Sequence, residues 1–387
     1  VVVTTQPDQQ EHTPNSRLAT PRLSTSEQPG LRTLDILQFR NFEQTRLAFD
    51  PGLNLITGEN ASGKTSLLEA IYYLGRVRSF RTSGADEPIR YGQPGFRLVG
   101  KVAAETGQTV TVGIERREGR YTVHMGGQNV RRLSDLAGNF PVQIFSSDTV
   151  SILNGGPRQR RHMLDWALFH VEQRYRDTWQ RYTRSLRQRN AALRAHATRN
   201  EICAWESELL ETGLEIDRSR RTYLDQLAPY LDKEIGRLLP ERQLNLVYQQ
   251  GWPEASELAD ALTAGFEKDQ AYGYTRYGPH RADFKLLLDG YPVSAHCSRG
   301  QQKAVLLGVL LAQVGYQQAI SGTAGAFLLD DLTSELDTAH RGRILAALRE
   351  LNAQVFVTAI EGESIDTSVW NPGRLFHVER GVIHEVV

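Results

Sequence analysis

From Leu31 onward apolar and polar residues alternate, through Leu34, Ile36, Phe39 and Phe42, and the alternation closes in the apolar run Leu53 to Ile56. A period of two belongs to strands with one buried face, so the pattern predicts a folded domain that opens with short strands. Residues 96–150 carry further strand-like segments, FRLVGKVAA, TVTVGIERR and YTVHMGG, parted by glycine-containing turns. From Pro157 to about Leu238 turn signals thin out, and Met163, Leu164, Trp166, Ala167, Phe169, His170 and Val171 recur at helical spacing. This stretch predicts a helical insertion, two long helices packed back to back. Beyond Leu286 the pattern predicts a helix over 299–316, a strand Ala326–Leu329, a helix over 338–351 and a strand Gln354–Thr358. Buried strands alternating with helices make a βαβ arrangement with parallel strands, and so an α/β fold. The chain divides accordingly into a leader, 1–30, a first α/β segment, 31–150, an inserted helical arm, 151–275, and a second α/β segment, 276–387.

Residues 1–30 hold four prolines, many Ser, Thr and Gln, and no aromatic residue. That is too little apolar surface to offset the entropy of ordering, so a disordered leader is expected. A 40% hydrophobic content over 387 residues suffices for two or three domains with a sizeable core. No apolar run approaches the roughly 20 residues that span a bilayer, and no basic-then-apolar secretory layout opens the chain. A cytoplasmic protein without a membrane role is expected. Cys203 and Cys297 agree with a reducing compartment, being too few for a disulfide framework or a four-cysteine zinc site. Lys and Arg number 45 against 45 Asp and Glu, which argues against a bulk polyanion binder but leaves room for a local basic face. One such face is suggested at 158–199, where eleven Arg stand against Asp165, Glu172 and Asp177. The stretch reads either as a solvated helix face or as a phosphate-contacting surface. In the second reading Arg184, Arg187 and Arg194 are candidate phosphate contacts, the first two on one face of a helix.

The chemistry is clearest at Gly58-Glu59-Asn60-Ala61-Ser62-Gly63-Lys64-Thr65, which fits G-x-x-x-x-G-K-[ST]. An apolar strand precedes it, and after Ser66 an amphipathic helix follows with Leu67, Leu68, Ile71 and Leu74. Strand, loop and helix in that order are the setting of a phosphate-binding loop. Glycines let the backbone N–H groups turn toward phosphate oxygens, and the helix N-terminus adds positive potential. Lys64 reaches the β and γ phosphates, and the Thr65 hydroxyl ligates Mg²⁺, so ATP and Mg²⁺ are the implied cofactors. Gly75 is a plausible stop for the helix. Such a loop needs a metal-holding acid on a neighbouring strand. Asp330 supplies it at the C-terminal end of the apolar run Phe327-Leu328-Leu329, where parallel sheets place ligand chemistry. Asp331 would then orient or deprotonate the attacking water.

Ser298-Arg299-Gly300-Gln301-Gln302, ahead of the apolar helix Ala304–Val314, resembles the signature motif of ABC-type ATPases, and Ser334-Glu335-Leu336-Asp337 resembles their D-loop. The resemblance implies an ABC-type P-loop ATPase head with an inserted helical arm. It further implies that Ser298, Gly300 and Gln301 of one subunit close over the γ-phosphate held by another, giving a head-to-head homodimer on ATP binding. Within that group the chain resembles the RecF family of bacterial recombination-repair proteins, over nearly all of Leu31 to Val387. Phe39-Arg40-Asn41-Phe42, Pro157 with Arg160-Arg161 and Leu164-Asp165, Gly278-Pro279-His280-Arg281 with Asp283, and Leu328-Leu329-Asp330-Asp331 carry the likeness. The family implies binding of duplex and gapped DNA and, with RecO and RecR, loading of RecA recombinase on single strands. ABC proteins usually place a Glu after the metal-binding Asp and a His after the next strand, positions that look like Asp331 and Thr358 here. A shorter carboxylate and no imidazole imply slow hydrolysis, and the resemblance implies a weak, DNA-stimulated ATPase that serves as a switch. Resemblance to SMC proteins stops at the head, since two helices of about 35 residues reach only about 50 Å.

Other residues carry two readings each. Arg40 and Asn41 touch the nucleotide phosphates, as the resemblance implies, or Arg40 is a solvated charge ending an edge strand. Gln143 is a Q-loop residue sensing Mg²⁺ and the γ-phosphate, or an ordinary strand glutamine. His280 and Arg281 face nucleotide or DNA. A second class of function, an ABC-type nucleotidase serving a transporter or a nuclease, fits less well. A transport ATPase lacks the inserted arm, and nuclease-associated relatives need a C-terminal acidic cluster where this tail scatters Glu361, Glu363 and Asp366.

Overall fold

The computed structural model describes residues 28–82, 84–104, 106–130, 140–362, 365–367, 370 and 373–386. The expected leader lies outside the described residues up to position 27, as does Glu363. Strands β1 (Gly30–Phe39), β2 (Phe42–Ala48), β4 (Gly95–Ala103), β5 (Thr109–Arg117), β6 (Arg120–Met125) and β7 (Gln128–Asn129) form a six-stranded sheet in the order β2-β1-β4-β5-β6-β7. Its pairings are antiparallel throughout. A second six-stranded sheet runs β15-β14-β3-β13-β12-β8, from β3 (Leu53–Thr57), β8 (Val142–Phe145), β12 (Ala326–Leu329), β13 (Gln354–Ala359), β14 (Arg374–Glu379) and β15 (Val382–Val386). Every residue of β3, β8, β12 and β13 is buried, as parallel strands covered on both faces require.

Helix α1 (Lys64–Arg76) lies between these sheets. Leu67, Leu68, Ile71 and Leu74 are fully buried in one core with Leu34, Ile36 and Leu98 of the first sheet and Ile56, Leu328 and Phe356 of the second. The helix does not stop at Gly75. It runs on to Arg76, and the left-handed cap is Val77, φ 51. Gly75 is there for closeness, because a Cβ would sit 2.7 Å from the Phe140 carbonyl oxygen.

The other face of the central sheet packs on a larger core shared with the arm. The arm contains α2 (Pro157–Val171), α3 (Tyr175–Arg194), α4 (Glu206–Leu238) and α5 (Leu258–Tyr272). Instead of two matched long helices there is one helix of 33 residues, α4, while its counterpart breaks into α2 of 15 and α3 of 20 at the extended Glu172. Toward its C-terminus α4 leaves the arm and packs on helix α6 (Arg299–Ser321), where Gly308 admits the Ile235 side chain. Strand β9 (Leu244–Gln249) then pairs with β10 (Asp283–Leu288), and β10 with β11 (Tyr291–Pro292), so a small sheet crosses the expected boundary near 276. Helix α6 outruns the expected 299–316. Among the described residues it alone is long and apolar enough to cross a membrane, but 78% of its most apolar window is buried inside the fold, as befits a core helix.

Ion pairs consume much of the arm's positive charge. Arg160 forks onto Asp283, Arg181 binds Glu208 and Glu211, and the fully buried Arg189 binds Asp269 and Glu206. These partners lie far along the chain, so the local charge excess does not describe the surface. His280 is not in the nucleotide cleft, and both its ring nitrogens have protein partners: its Nδ1 accepts from Tyr182 Oη (2.6 Å) and its Nε2 donates to Thr275 O (3.0 Å). Burial, with Arg281, Arg161 and Arg220 nearby, pushes this imidazole down to about 4 from an ordinary 6.5. Between those pH values the unfolded chain takes up a proton that the folded chain refuses. Stability should therefore fall with pH across that window, by up to about 1.4 kcal/mol per unit for such a group. Urea midpoints at pH 7 and pH 5 should fall less in His280→Gln, whose amide supplies the same acceptor and donor; an equal fall would remove His280 as a cause.

Candidate nucleotide site

The loop joining β3 to α1 turns through Gly58 (φ 142), Ala61 (φ 63) and Gly63 (φ 125). At Gly63 a side chain would strike Asn41 Nδ2, and at Gly58 the Val378 carbonyl oxygen, so the backbone conformation and the closeness of its neighbours both demand glycine. Helix α1 begins without a side-chain cap and without an acid in its first turn, leaving its first N–H groups and its dipole to an anion. Lys64 Nζ folds over the loop, donating to Gly58 O (2.7 Å) and Glu59 O (2.8 Å). Burial lowers its pKa, against the pull of Asp331 and Asp330. Ser62 Oγ is buried without a hydrogen-bond partner.

Across the cleft, β12 delivers Asp330. Its Oδ1 accepts from Thr65 Oγ1 (3.1 Å) and Thr358 Oγ1 (2.8 Å). Burial raises the Asp330 pKa, opposed by the two hydroxyls, while Asp331 raises it further and Arg81 lowers it. A desolvated carboxylate beside a hydroxyl fits a hard divalent cation such as Mg²⁺, which takes one or two protein oxygens and completes its shell with water and phosphate. Asp331 sits at φ 51 and donates its N–H to Thr358 Oγ1 (2.7 Å); its Oδ2 accepts from Ser334, and its Oδ1 is buried and unpartnered.

These groups line a cleft of about 610 Å³ together with Arg40, Asn41, Asn60, Ala61, Gly63, Ser66 and Arg81. Asn41 Nδ2 donates to Ser62 O (3.0 Å) and so braces the loop. Arg40 is not a solvated charge. Its guanidinium grips the fully buried Glu69 through Nε (2.8 Å) and Nη2 (2.6 Å), and Nη1 donates to Glu87 O (2.8 Å). Gln143 needs correction as a metal residue: its Oε1 accepts from Arg76 (3.4 Å), at the end of α1 remote from the loop. The twelve-residue advance from Lys64 to Arg76 spans about 18 Å of helix, so Gln143 is not in the cleft.

Thr358, Arg81, Glu87 and Ile89 line the cleft and escaped sequence reasoning. Thr358, noted only as a missing imidazole, bridges Asp330 and the Asp331 backbone; the available signal was a hydroxyl on the buried strand paired to β3. Arg81 returns to the cleft on the segment after α1, and no periodicity marks it. Ser298 lies outside this chain's cleft, exposed at the start of α6, where its Oγ accepts from the Gln301 N–H (3.3 Å) and the Ser298 N–H donates to Gln301 Oε1 (2.9 Å). Gly300 is exposed beside it. Lys303 on the same helix bonds Glu335 Oε2 (2.7 Å), tying α6 to the Ser334–Asp337 segment. Arg184, Arg187 and Arg194 are exposed on the arm.

Residues 30–384 match the family model described as the RecF/RecN/SMC N terminal domain. The DNA replication and repair protein RecF of Erwinia tasmaniensis is 39% identical over 354 residues, 91% of this chain and 98% of that protein. This chain belongs to the RecF family. The RecF of Pseudomonas entomophila is likewise 39% identical, over 91% of this chain and 97% of its own length. Among solved RecF structures, one of the recombination mediator protein RecF with ATP in the RecFOR pathway superposes with a TM-score of 0.85 at 26% identity, covering 93% of this chain and 98% of that one. The Smc head domain of Pyrococcus furiosus, at 14% identity and a TM-score of 0.58 over 92% of this chain and 96% of that one, shares the head fold. The ABC-type ATPase head expected from the motifs is thus the fold of this RecF-family chain.

Proposed function

We propose that this chain is an ATP-switched DNA-binding protein of replication and repair. One observation carries the reading: a phosphate loop faces an acid–hydroxyl pair in one cleft, while a second helix N-terminus, capped by Ser298 and Gln301, stands exposed outside it. In this reading Gly58 to Ser66 cradle the phosphates, and Lys64 swings from the loop carbonyls to their oxygens. Thr65 and Asp330 hold Mg²⁺, which offsets phosphate charge. Asp331, fixed by Thr358, orients water with its free Oδ1. Ser298, Gly300 and Gln301 of a second copy cover the open side, so ATP occupancy is read out as dimerisation.

The dimer then brings two arms to duplex or gapped DNA, with Arg184, Arg187 and Arg194 as backbone contacts. The RecFOR pathway named for a solved relative supports RecO and RecR as partners, and RecA loading is the outcome this reading assigns to them. Hydrolysis is slow and resets the switch, and the compartment is the cytoplasm.

Light scattering tests the core of this reading. The chain should be monomeric alone, dimeric with Mg·ATP, and retained on a gapped duplex only as the dimer. Ser298→Arg should bind ATP nearly as well as the parent but stay monomeric, losing no more than about 1 kcal/mol of stability with the cap. ATP-independent DNA capture by a monomer would refute the switch, and loss of ATP binding in Ser298→Arg with normal assembly would refute the action across subunits.

A further inference from the structure

Where the phosphate-loop helix ends, cations gather that no acid neutralises. Arg76, in the last turn of α1, donates Nε and Nη2 to Val142 O (3.2 and 3.0 Å), and its Cζ lies 3.4 Å from the Trp166 ring centroid. Two residues on, Arg78 meets Nε2 of His162. Arg158, His162, Trp166 and His170 succeed one another at four-residue intervals along α2 and so share one face of it. That face meets the end of α1 through both arginines.

Around this junction other arginines are matched: Arg40 and Arg81 by Glu69, Arg160 by Asp283, Arg220 by Asp165. Among the described residues no carboxylate pairs with Arg76, Arg78 or Arg158. Burial and the charges of Arg78, Arg76 and Arg158 hold His162 down to about 4; burial and Arg76 hold His170 down to about 3. His170 Nε2 is buried with no partner. Like charges crowded together without a carboxylate repel one another until an anion joins them, and guanidinium forks match phosphate oxygens.

We infer that the α1–α2 junction is a phosphate seat, in which Arg78 and Arg158 hold the oxygens of a nucleic-acid backbone phosphate and Arg76 and His162 stand behind them. The identity of the occupant rests on the DNA-binding reading above; the chemistry is shared with free phosphate. The seat communicates with the nucleotide cleft through one loop. Arg81, three residues beyond Arg78, lines the cleft, and Ser79 between them donates to Glu69 (2.6 Å). Seat and cleft are thereby linked, and their coupling is reciprocal.

The full chain carrying Arg78→Ala and Arg158→Ala should be titrated with labelled duplex in Mg·ATP from about 50 to about 200 mM salt. Two lost backbone contacts lower the logarithmic salt slope by about 1.8, so the wild-type advantage shrinks about tenfold across that range. The Arg78→Lys, Arg158→Lys pair should regain most of the slope, which a packing defect would not. A wild-type slope in the alanine pair overturns the seat as a DNA contact. In parallel, inorganic phosphate at constant ionic strength should raise the His162 titration, followed by NMR, from about 4. A titration that phosphate does not move overturns the seat itself. If the wild type binds no duplex but His162 responds to phosphate, the seat stands, while the DNA occupant and the DNA-binding function fall together.

Discussion

Replacing Lys64 by methionine should abolish useful ATP binding while leaving the fold intact. The ammonium is held over the loop by two carbonyls, Gly58 O and Glu59 O, and burial already lowers its pKa, so it is poised to exchange those acceptors for charged phosphate oxygens. A hydrogen bond involving charge contributes about 1.5–3 kcal/mol, and losing two costs at least a hundredfold in affinity, about 3 kcal/mol or more. Methionine keeps the aliphatic stem, so the melting temperature without nucleotide should change little. The rise in melting temperature that Mg·ATP gives the parent should vanish, together with dimerisation and ATP-dependent DNA capture. Thermal shift and direct titration with a fluorescent ATP analogue measure both. Parental affinity in Lys64→Met would contradict the assignment of the cleft.

What could be read from the sequence follows from how local each feature is. The β3–loop–α1 unit depends on neighbours within 25 residues: a strand buried on both faces, glycines at positive φ and an amphipathic helix. Asp330 was equally legible, because a fully apolar four-residue strand ending in acids has few other readings in a chain with a phosphate loop. Arg40 was ambiguous for the opposite reason. Its partner, Glu69, lies 29 residues away, and only the fold decides between a solvated and a buried charge.

The same limit explains the arm. Counting arginines over 158–199 suggested a strongly basic surface, but Arg189 finds Asp269 80 residues on, and Arg160 finds Asp283 123 residues on. Charges that remain exposed, such as Arg184 and Arg187, cannot be told from buried ones by composition. Helical spacing was informative about which face they occupy, and silent about what the opposite face meets. Gln143 failed through direction rather than distance: β8 runs parallel to β12, and Gln143 pairs with Phe327, two residues before the end of that strand, where its side chain meets Arg76 rather than Asp330.

The largest stability effect is expected at Arg220, which the sequence did not mark. It is fully buried on α4 and joins three elements: Nε and Nη2 donate to Asp165 Oδ1 of α2 (3.1 and 2.8 Å), Nε also to Tyr175 Oη of α3 (3.1 Å), and Nη1 to Pro279 O in the turn before β10 (2.7 Å). Arg220→Met preserves most of the volume but strands a buried carboxylate and a carbonyl, and breaking such a pair costs about 3–5 kcal/mol. The double variant Arg220→Met, Asp165→Leu removes both charges and should recover much of that loss, since a buried pair replaced by apolar groups is often close to neutral. Urea unfolding of the parent, both single variants and the double completes the cycle. A single Arg220→Met change within about 1 kcal/mol of the parent would show that the junction is held by apolar packing instead. If the cycle closes as expected, Arg220 joins Arg160, Arg161 and Tyr182 in fastening the arm to the segment from Pro279 to Asp283, and a movement that begins in the head has this junction as a route to the arm.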